Sequence, residues 1–319
     1  MIVPAARNPV PQSPPARPNG LPGRTAPPPA APQSPTKKEG LEAIRKLPPL
    51  PMVVTKLMQL LQRSDVGLKE ISDSISSDPV FSAEVLRMAN SAMVGAMSEV
   101  RSIWQALAMV GLDRIKSLAL TVGMRGFMGK NAGAPVLRQT WRHTLATAII
   151  AEEFARKIFI EPAEAYTAGL LHDIGRIGLI ASNPQKYAGL LTTLPTGPFS
   201  LSELEQQAYG IDKSEAGVEL VRKWKLPPLF ERVISRKPES DPDLSVFDCP
   251  ALIALSCELA DALGLGLLPL EEGADWKAQC DRLLSSMPPA DRNRLSCDWD
   301  DLQLTVASRV NLLDSEASK

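Results

Sequence analysis

The 319-residue chain is 44% hydrophobic and 22% charged, with a formal net charge of -1 and a pI near 6.2. That balance supplies a sizeable core in one domain or two. It argues against DNA as a partner, because a phosphate-neutralising surface carries excess Lys and Arg. Aromatic residues make up 5% of the chain, too few for a platform that stacks single strands.

Residues 1–40 stand apart. Twelve of the 29 prolines precede Lys37, in runs such as Pro14-Pro15 and Pro27-Pro28-Pro29. A segment this poor in large apolar side chains cannot offset the entropy of ordering itself, so a disordered, Pro-rich tail is expected. It reads as a solvated tether; the alternative is PxxP docking on a partner's aromatic groove.

Further along, apolar residues recur at steps of three and four, as in Leu57, Leu60, Leu61 and then Leu68, Ile71, Ile75. Asp78-Pro79 is a helix-start signal, an N-cap followed by proline at the first helical position. Ser102-Ile103 opens a further helix that Gly111 breaks, and helices follow over 115–122, 141–159 and 164–171. Leu201–Tyr209, Ser214–Trp224 and a helix begun by Pro227-Pro228 come next; residues 236–250 read as a loop. Pro250–Leu265 is helical, as are Trp276–Leu284 and Asp301–Leu313 after it. No stretch alternates like a strand. The fold class is all-α.

The four cysteines lie 8, 23 and 17 residues apart and form no CxxC pair, which excludes a zinc knuckle or redox dithiol on that pattern. The start MIVPAAR lacks the apolar run of a secretory signal. The most apolar stretch, Pro250–Leu270, contains Glu258 and Asp261 and reads as a buried helix. A cytoplasmic protein with reduced thiols, and no membrane span, is expected.

The chain has only two histidines. His143 lies within a helix, and His172 is followed at once by Asp173. Asp261 adds an acid flanked by apolar residues. Two imidazoles and two carboxylates from three helices would suit one divalent transition metal ion, which would activate water or polarise a phosphoryl oxygen. The structural alternative makes His143 a core histidine, Asp173 a turn cap and Asp261 a partner of an arginine. Spacing does not separate the two readings. No GxxxxGK[ST], GxGxxG or GxSxG motif is present. Arg222, Lys223, Lys225, Arg232, Arg236 and Lys237 form a basic cluster, a solvated face or a phosphate attractor.

Taken together, several stretches resemble the HDOD domain, a bacterial signalling module related to the HD metal-dependent phosphohydrolases. They are Leu47-Pro48-Pro49-Leu50-Pro51, Asp78-Pro79, Leu86 to Ala92, Ser102-Ile103 with Ala106-Leu107 and Gly111, Trp141-Arg142-His143, Gly169 to Gly175, and Trp224-Lys225-Leu226-Pro227. The resemblance covers roughly residues 41–240. It implies a two-lobed helical domain over 41–265, with an N-terminal lobe at 41–130 and an HD-like lobe at 131–265, followed by a helical extension over 266–319. The extension would pack on the HD lobe or form a dimer face. Members of the family are generally regarded as non-catalytic regulatory modules, so protein partners of a signalling pathway or a small effector are expected, and no cofactor is; a nucleotide ligand has only the basic cluster behind it, and self-association is a further option. The enzyme alternative is a mononuclear metal-dependent phosphohydrolase. Carried over from the HD phosphohydrolases, its metal ligands would be His143, His172, Asp173 and Asp261, with Arg176 near the substrate phosphate. The pair of histidines often found after the Trp-x-Leu-Pro helix is missing, since Ile234 to Pro238 reads ISRKP. The dinuclear phosphodiesterase branch also has Lys where Arg176 stands, and an Arg cannot release a proton at neutral pH.

Overall fold

The computed structural model describes residues 34–60, 63, 65–92, 100–129, 133–195, 199–236, 248–270 and 273–315, and Ser34–Lys319 cluster as a single compact unit. Every regular element among them is helical. The expected tail over 1–33, most of the 236–250 loop and Lys237 lie outside the described residues.

Helix α1 (Lys37–Arg45) begins inside the stretch expected to belong to the tail. Thr36 and Glu39 close a capping box that satisfies two orphan N–H groups at once. Its Gly40 is buried so tightly that a Cβ would stand 2.4 Å from the Tyr209 carbonyl. That contact places α1 on the second lobe, against helices that follow below, rather than in the N-terminal lobe.

The N-terminal lobe itself is built from α2 (Met52–Leu60), α3 (Leu68–Ser76), α4 (Pro79–Ala92), α5 (Ile103–Val110) and α6 (Leu112–Met128). Asp78 accepts from the Phe81 N–H at 3.0 Å and Ser102 from that of Gln105 at 3.0 Å, so both expected starts carry real caps. Gly111 has φ 93°, which glycine alone adopts readily, and it turns α5 into α6. Asn90 holds the return of the chain by exchanging two hydrogen bonds with the backbone of Val100, at 2.9 and 2.7 Å.

The second lobe is organised on α7 (Pro135–Ala155), which starts earlier than the expected 141–159 because Pro135 suits the first turn, and ends sooner in a run of tight turns. Packed around it are α8 (Pro162–Leu171), α9 (Ile174–Ser182), α10 (Pro184–Thr192), α11 (Leu201–Tyr209), α12 (Lys213–Lys223), α13 (Pro228–Ser235) and α14 (Cys249–Ala260). The expected helix over 250–265 leaves α geometry at Asp261, where one π turn runs to Leu265. A hydroxyl pair, Thr121 with Tyr166 at 2.7 Å, joins α6 to α8 between the lobes.

Three helices complete the chain: α15 (Trp276–Ser285), α16 (Pro289–Leu295) and α17 (Trp299–Ser315). The last lies along α7. Arg309 reaches Glu152 and Glu153 at 2.6 and 2.7 Å, and Asp314 accepts from Arg138 and Arg142. The extension thus packs on the second lobe. No helix among the described residues is long and apolar enough to cross a membrane.

Two glycines set how closely helices approach beneath the His-Asp turn. A Cβ on Gly169 would stand 2.6 Å from the Ala148 Cα, and one on Gly175 would stand 1.9 Å from the Lys213 carbonyl. Gly175→Ala is therefore expected to lower the urea-unfolding free energy by about 2 kcal/mol or more, as overpacking does. Gly189→Ala, at an exposed position in α10 with nothing within 4 Å, is expected to raise it by about 0.5–1 kcal/mol.

Candidate functional site at the His-Asp turn

Between α8 and α9 the chain makes no loop. His172 ends one helix and Asp173 begins the next. Gly169 and Gly175 on either side let this junction sink against α7 and α12, which buries both side chains. Asp173 is 0% exposed. Both of its oxygens are engaged: Oδ2 accepts from Arg176 at 2.6 Å, and Oδ1 accepts from Lys213 at 2.8 Å.

The network extends through Glu205 on α11, itself fully buried. Glu205 accepts from Arg176 Nε at 3.0 Å, from the backbone N–H of Lys213 at 2.9 Å, and from the Tyr187 hydroxyl. Two carboxylates thus meet two cations, and the cluster is neutral. Burial would raise the pKa of Asp173, but Arg176 and Lys213 outweigh it and hold the carboxyl well below the carboxylate range. Burial likewise opposes the charge on Arg176, while Asp173 and Glu205 keep it protonated.

His143 projects from α7 toward His172, with ring centroids 5.4 Å apart. His172 Nδ1 lies 2.6 Å from the Gly169 carbonyl, which can only accept, so Nδ1 carries the proton and Nε2 carries a lone pair. That Nε2 is buried without a partner. His143 Nε2 is 3.4 Å from the Cys257 thiol on α14. Its Nδ1 is 3.3 Å from the Asp261 carboxylate, near enough for an ion contact but not aligned as a hydrogen bond. Burial drives both imidazoles down to about 4 and the Cys257 thiol up to about 12. Burial also raises the Asp261 carboxyl, against the pull of His143.

All four residues singled out as metal ligands therefore gather in one place, in unequal roles. Asp173 faces a cation with each oxygen and is not among the donors close enough to one another to share an ion. Asp261 serves the far nitrogen of His143. The donors left facing one another are His143, His172 and Cys257, one ligand atom from each lying within 4.8 Å of the others. Cys257 has no cysteine neighbour in sequence, so cysteine spacing does not single it out; the signal is its position four residues before Asp261, one turn away on the same helix face. Arg176 is a member of the ion-pair network.

Two cavities adjoin this cluster and share Lys213 and Cys257 in their walls. One, of about 730 Å³, is lined by His143, Asp261, Arg282 and Leu267 to Leu270; the other, of about 540 Å³, by His172, Gln206, Arg236 and Glu258. The basic cluster is largely taken up elsewhere. Arg222 pairs with Glu231, Arg232 and Arg236 pair with Asp248, and Lys223 donates to the carbonyls of Arg45 and Leu47.

The two histidines set a pH dependence. Each is protonated near 6.5 in the unfolded chain and near 4 in the folded one, so between those values the unfolded state binds more protons. Stability then falls as pH drops from about 6.5 to about 4, by about 3 kcal/mol for a single such group. Urea titrations across that window are expected to show this slope, and His172→Gln is expected to reduce it by about half, leaving the His143 contribution.

The fold extends to known proteins. A structure of a candidate phosphohydrolase from Shewanella amazonensis SB2B is 26% identical, with a TM-score of 0.65 over 88% of this chain and 98% of that one. An HDOD domain protein of unknown function from Geobacter sulfurreducens shares the fold at 23% identity, with a TM-score of 0.68 over 86% of this chain and 98% of its own. So does a candidate signal transduction protein from Marinobacter aquaeolei VT8, at 21% identity and a TM-score of 0.63, over 87% of this chain and 65% of that one. An uncharacterized protein of Treponema pallidum (strain Nichols) is 24% identical over 188 residues, which are 58% of this chain and 36% of that protein; the chain spans little more than a third of this curated relative. With the HDOD domain profile matching residues 47–239, the chain belongs to the HDOD domain family.

Proposed function

We propose that this HDOD protein is a non-catalytic bacterial signal-transduction module, cytoplasmic, that acts by binding a protein partner or a small effector. The observation that carries this reading is the state of Asp173: its carboxylate is clamped between Arg176 and Lys213 at 2.6 and 2.8 Å, a cation on each oxygen, and it stands outside the group of donors close enough together to share an ion. Releasing it would leave the partly exposed Lys213 without a carboxylate and the buried Arg176 with Glu205 alone, which disfavours the exchange. The HD pair therefore ties α9 to α12 instead of building a hydrolytic centre.

The adjoining cavities, of about 730 and 540 Å³, are in the size range of small-molecule sites and give an effector a place beside this network. The four free thiols agree with a reducing compartment. The name of the Marinobacter structure points the same way, and that of the Shewanella structure points to the enzyme. The test is hydrolysis of p-nitrophenyl phosphate and bis-p-nitrophenyl phosphate with manganese, magnesium or zinc, wild type beside His172→Ala. The expected result is the same background rate from both proteins with every metal; metal-dependent turnover that disappears in His172→Ala would overturn the reading.

A further inference from the structure

With Asp173 withdrawn, the chemistry that remains at the turn is softer than two carboxylates would make it. Three donors converge from three elements: His143 from α7, His172 from the end of α8 and Cys257 from α14. Both histidines are more than nine-tenths buried. His172 donates its Nδ1 proton to the Gly169 carbonyl, while His143 Nδ1 lies 3.3 Å from the Asp261 carboxylate without an aligned hydrogen bond. Histidines that ligate metals through Nε2 are held as His172 is, since an outer partner on the other nitrogen fixes the tautomer; Asp261 stands where a small shift would give His143 the same partner. His172 Nε2 has no protein partner, and His143 Nε2 faces the Cys257 thiol.

The separations suit a small tetrahedral ion. Metal–nitrogen and metal–sulfur bonds of the usual zinc lengths put N and S about 3.5 Å apart, and His143 Nε2 and Cys257 Sγ are 3.4 Å apart. The widest separation, up to 4.8 Å, closes by about 1 Å of side-chain movement when three donors share one ion. Charge agrees as well. The network of Asp173, Glu205, Arg176 and Lys213 is neutral in itself, so the Cys257 thiolate and the Asp261 carboxylate would supply two negative charges for a dication. The cavity bordered by His143, Cys257 and Asp261 gives an entry path and a fourth position.

We infer that His143, His172 and Cys257 form a binding site for zinc, with Asp261 as the outer partner of His143 and Asp173 outside the ligand set. Binding exchanges the Cys257 S–H proton for the metal; the proton leaves to solvent and the sulfur's electron pair becomes the third bond. The ion would lock α14 onto the junction of α7 and α8, whether or not the protein turns over a substrate.

Cobalt(II), which substitutes for zinc and gives a charge-transfer band only when a thiolate is bound, tests the assignment on the full-length protein. One equivalent is expected to produce the band, and added zinc to abolish it. Cys257→Ser is expected to remove the band and weaken binding by about 100-fold or more, with Cys297→Ser behaving as wild type. His172→Gln is expected to weaken binding similarly. Should Cys257→Ser or His172→Gln lose its helical circular dichroism, alkylation decides: in wild-type protein zinc is expected to slow N-ethylmaleimide labelling of Cys257 at least tenfold, leaving Cys297 unchanged. Cobalt bound without a thiolate band, a band that survives in folded Cys257→Ser, Cys257 labelling unaffected by zinc, or no binding at all would overturn the inference.

Discussion

The buried contact of Asp173 with Arg176 and Lys213 governs the second lobe. A carboxylate with no exposure costs several kcal/mol to desolvate, and only close, fully satisfied partners offset that. Here both oxygens are satisfied, and Arg176 also pairs with Glu205, which accepts from the Lys213 backbone N–H and the Tyr187 hydroxyl as well. Four helices, α9 to α12, contribute to this one neutral cluster. Its stability depends on all members being present together, so it behaves as a unit rather than as a sum of pairs.

That cluster depends on the glycines around it. Gly175 lets the backbone of α9 touch α12, and this approach brings Lys213 within reach of Asp173. Gly169 does the same between α8 and α7, carrying His172 toward His143. The Gly-Leu-Leu-His-Asp-Ile-Gly stretch is thus a packing device first. The donors it gathers follow from how closely the helices cross.

Much of this is legible in the sequence. Local signals mark the helices: Asp78-Pro79, Ser102 and Gly111 act where they stand, and the capping pattern Thr36 to Glu39 moves the first helix start forward into the Pro-rich stretch. The convergence of His143, His172, Asp173 and Asp261 is also expected, since a short ordered motif and its resemblance to a family name those positions. What composition and spacing do not supply are partners distant along the chain. Lys213 lies 40 residues and Glu205 lies 29 residues from the groups they bind, and no periodicity connects them. Helices α10 and α16 leave little trace in the sequence because each is short and opens on a proline that also reads as a turn. Cys257 reads as an ordinary apolar-helix cysteine until the fold places it against His143.

The account turns on whether Asp173 is held by its cations. A double-mutant cycle between Asp173→Asn and Lys213→Met, read by chemical unfolding, measures that directly. The account predicts a coupling of about 2 kcal/mol or more, in the range of tightly coupled charged neighbours. A coupling near zero, with all three mutant proteins folded, would contradict it and return Asp173 to the set of groups free to bind a metal.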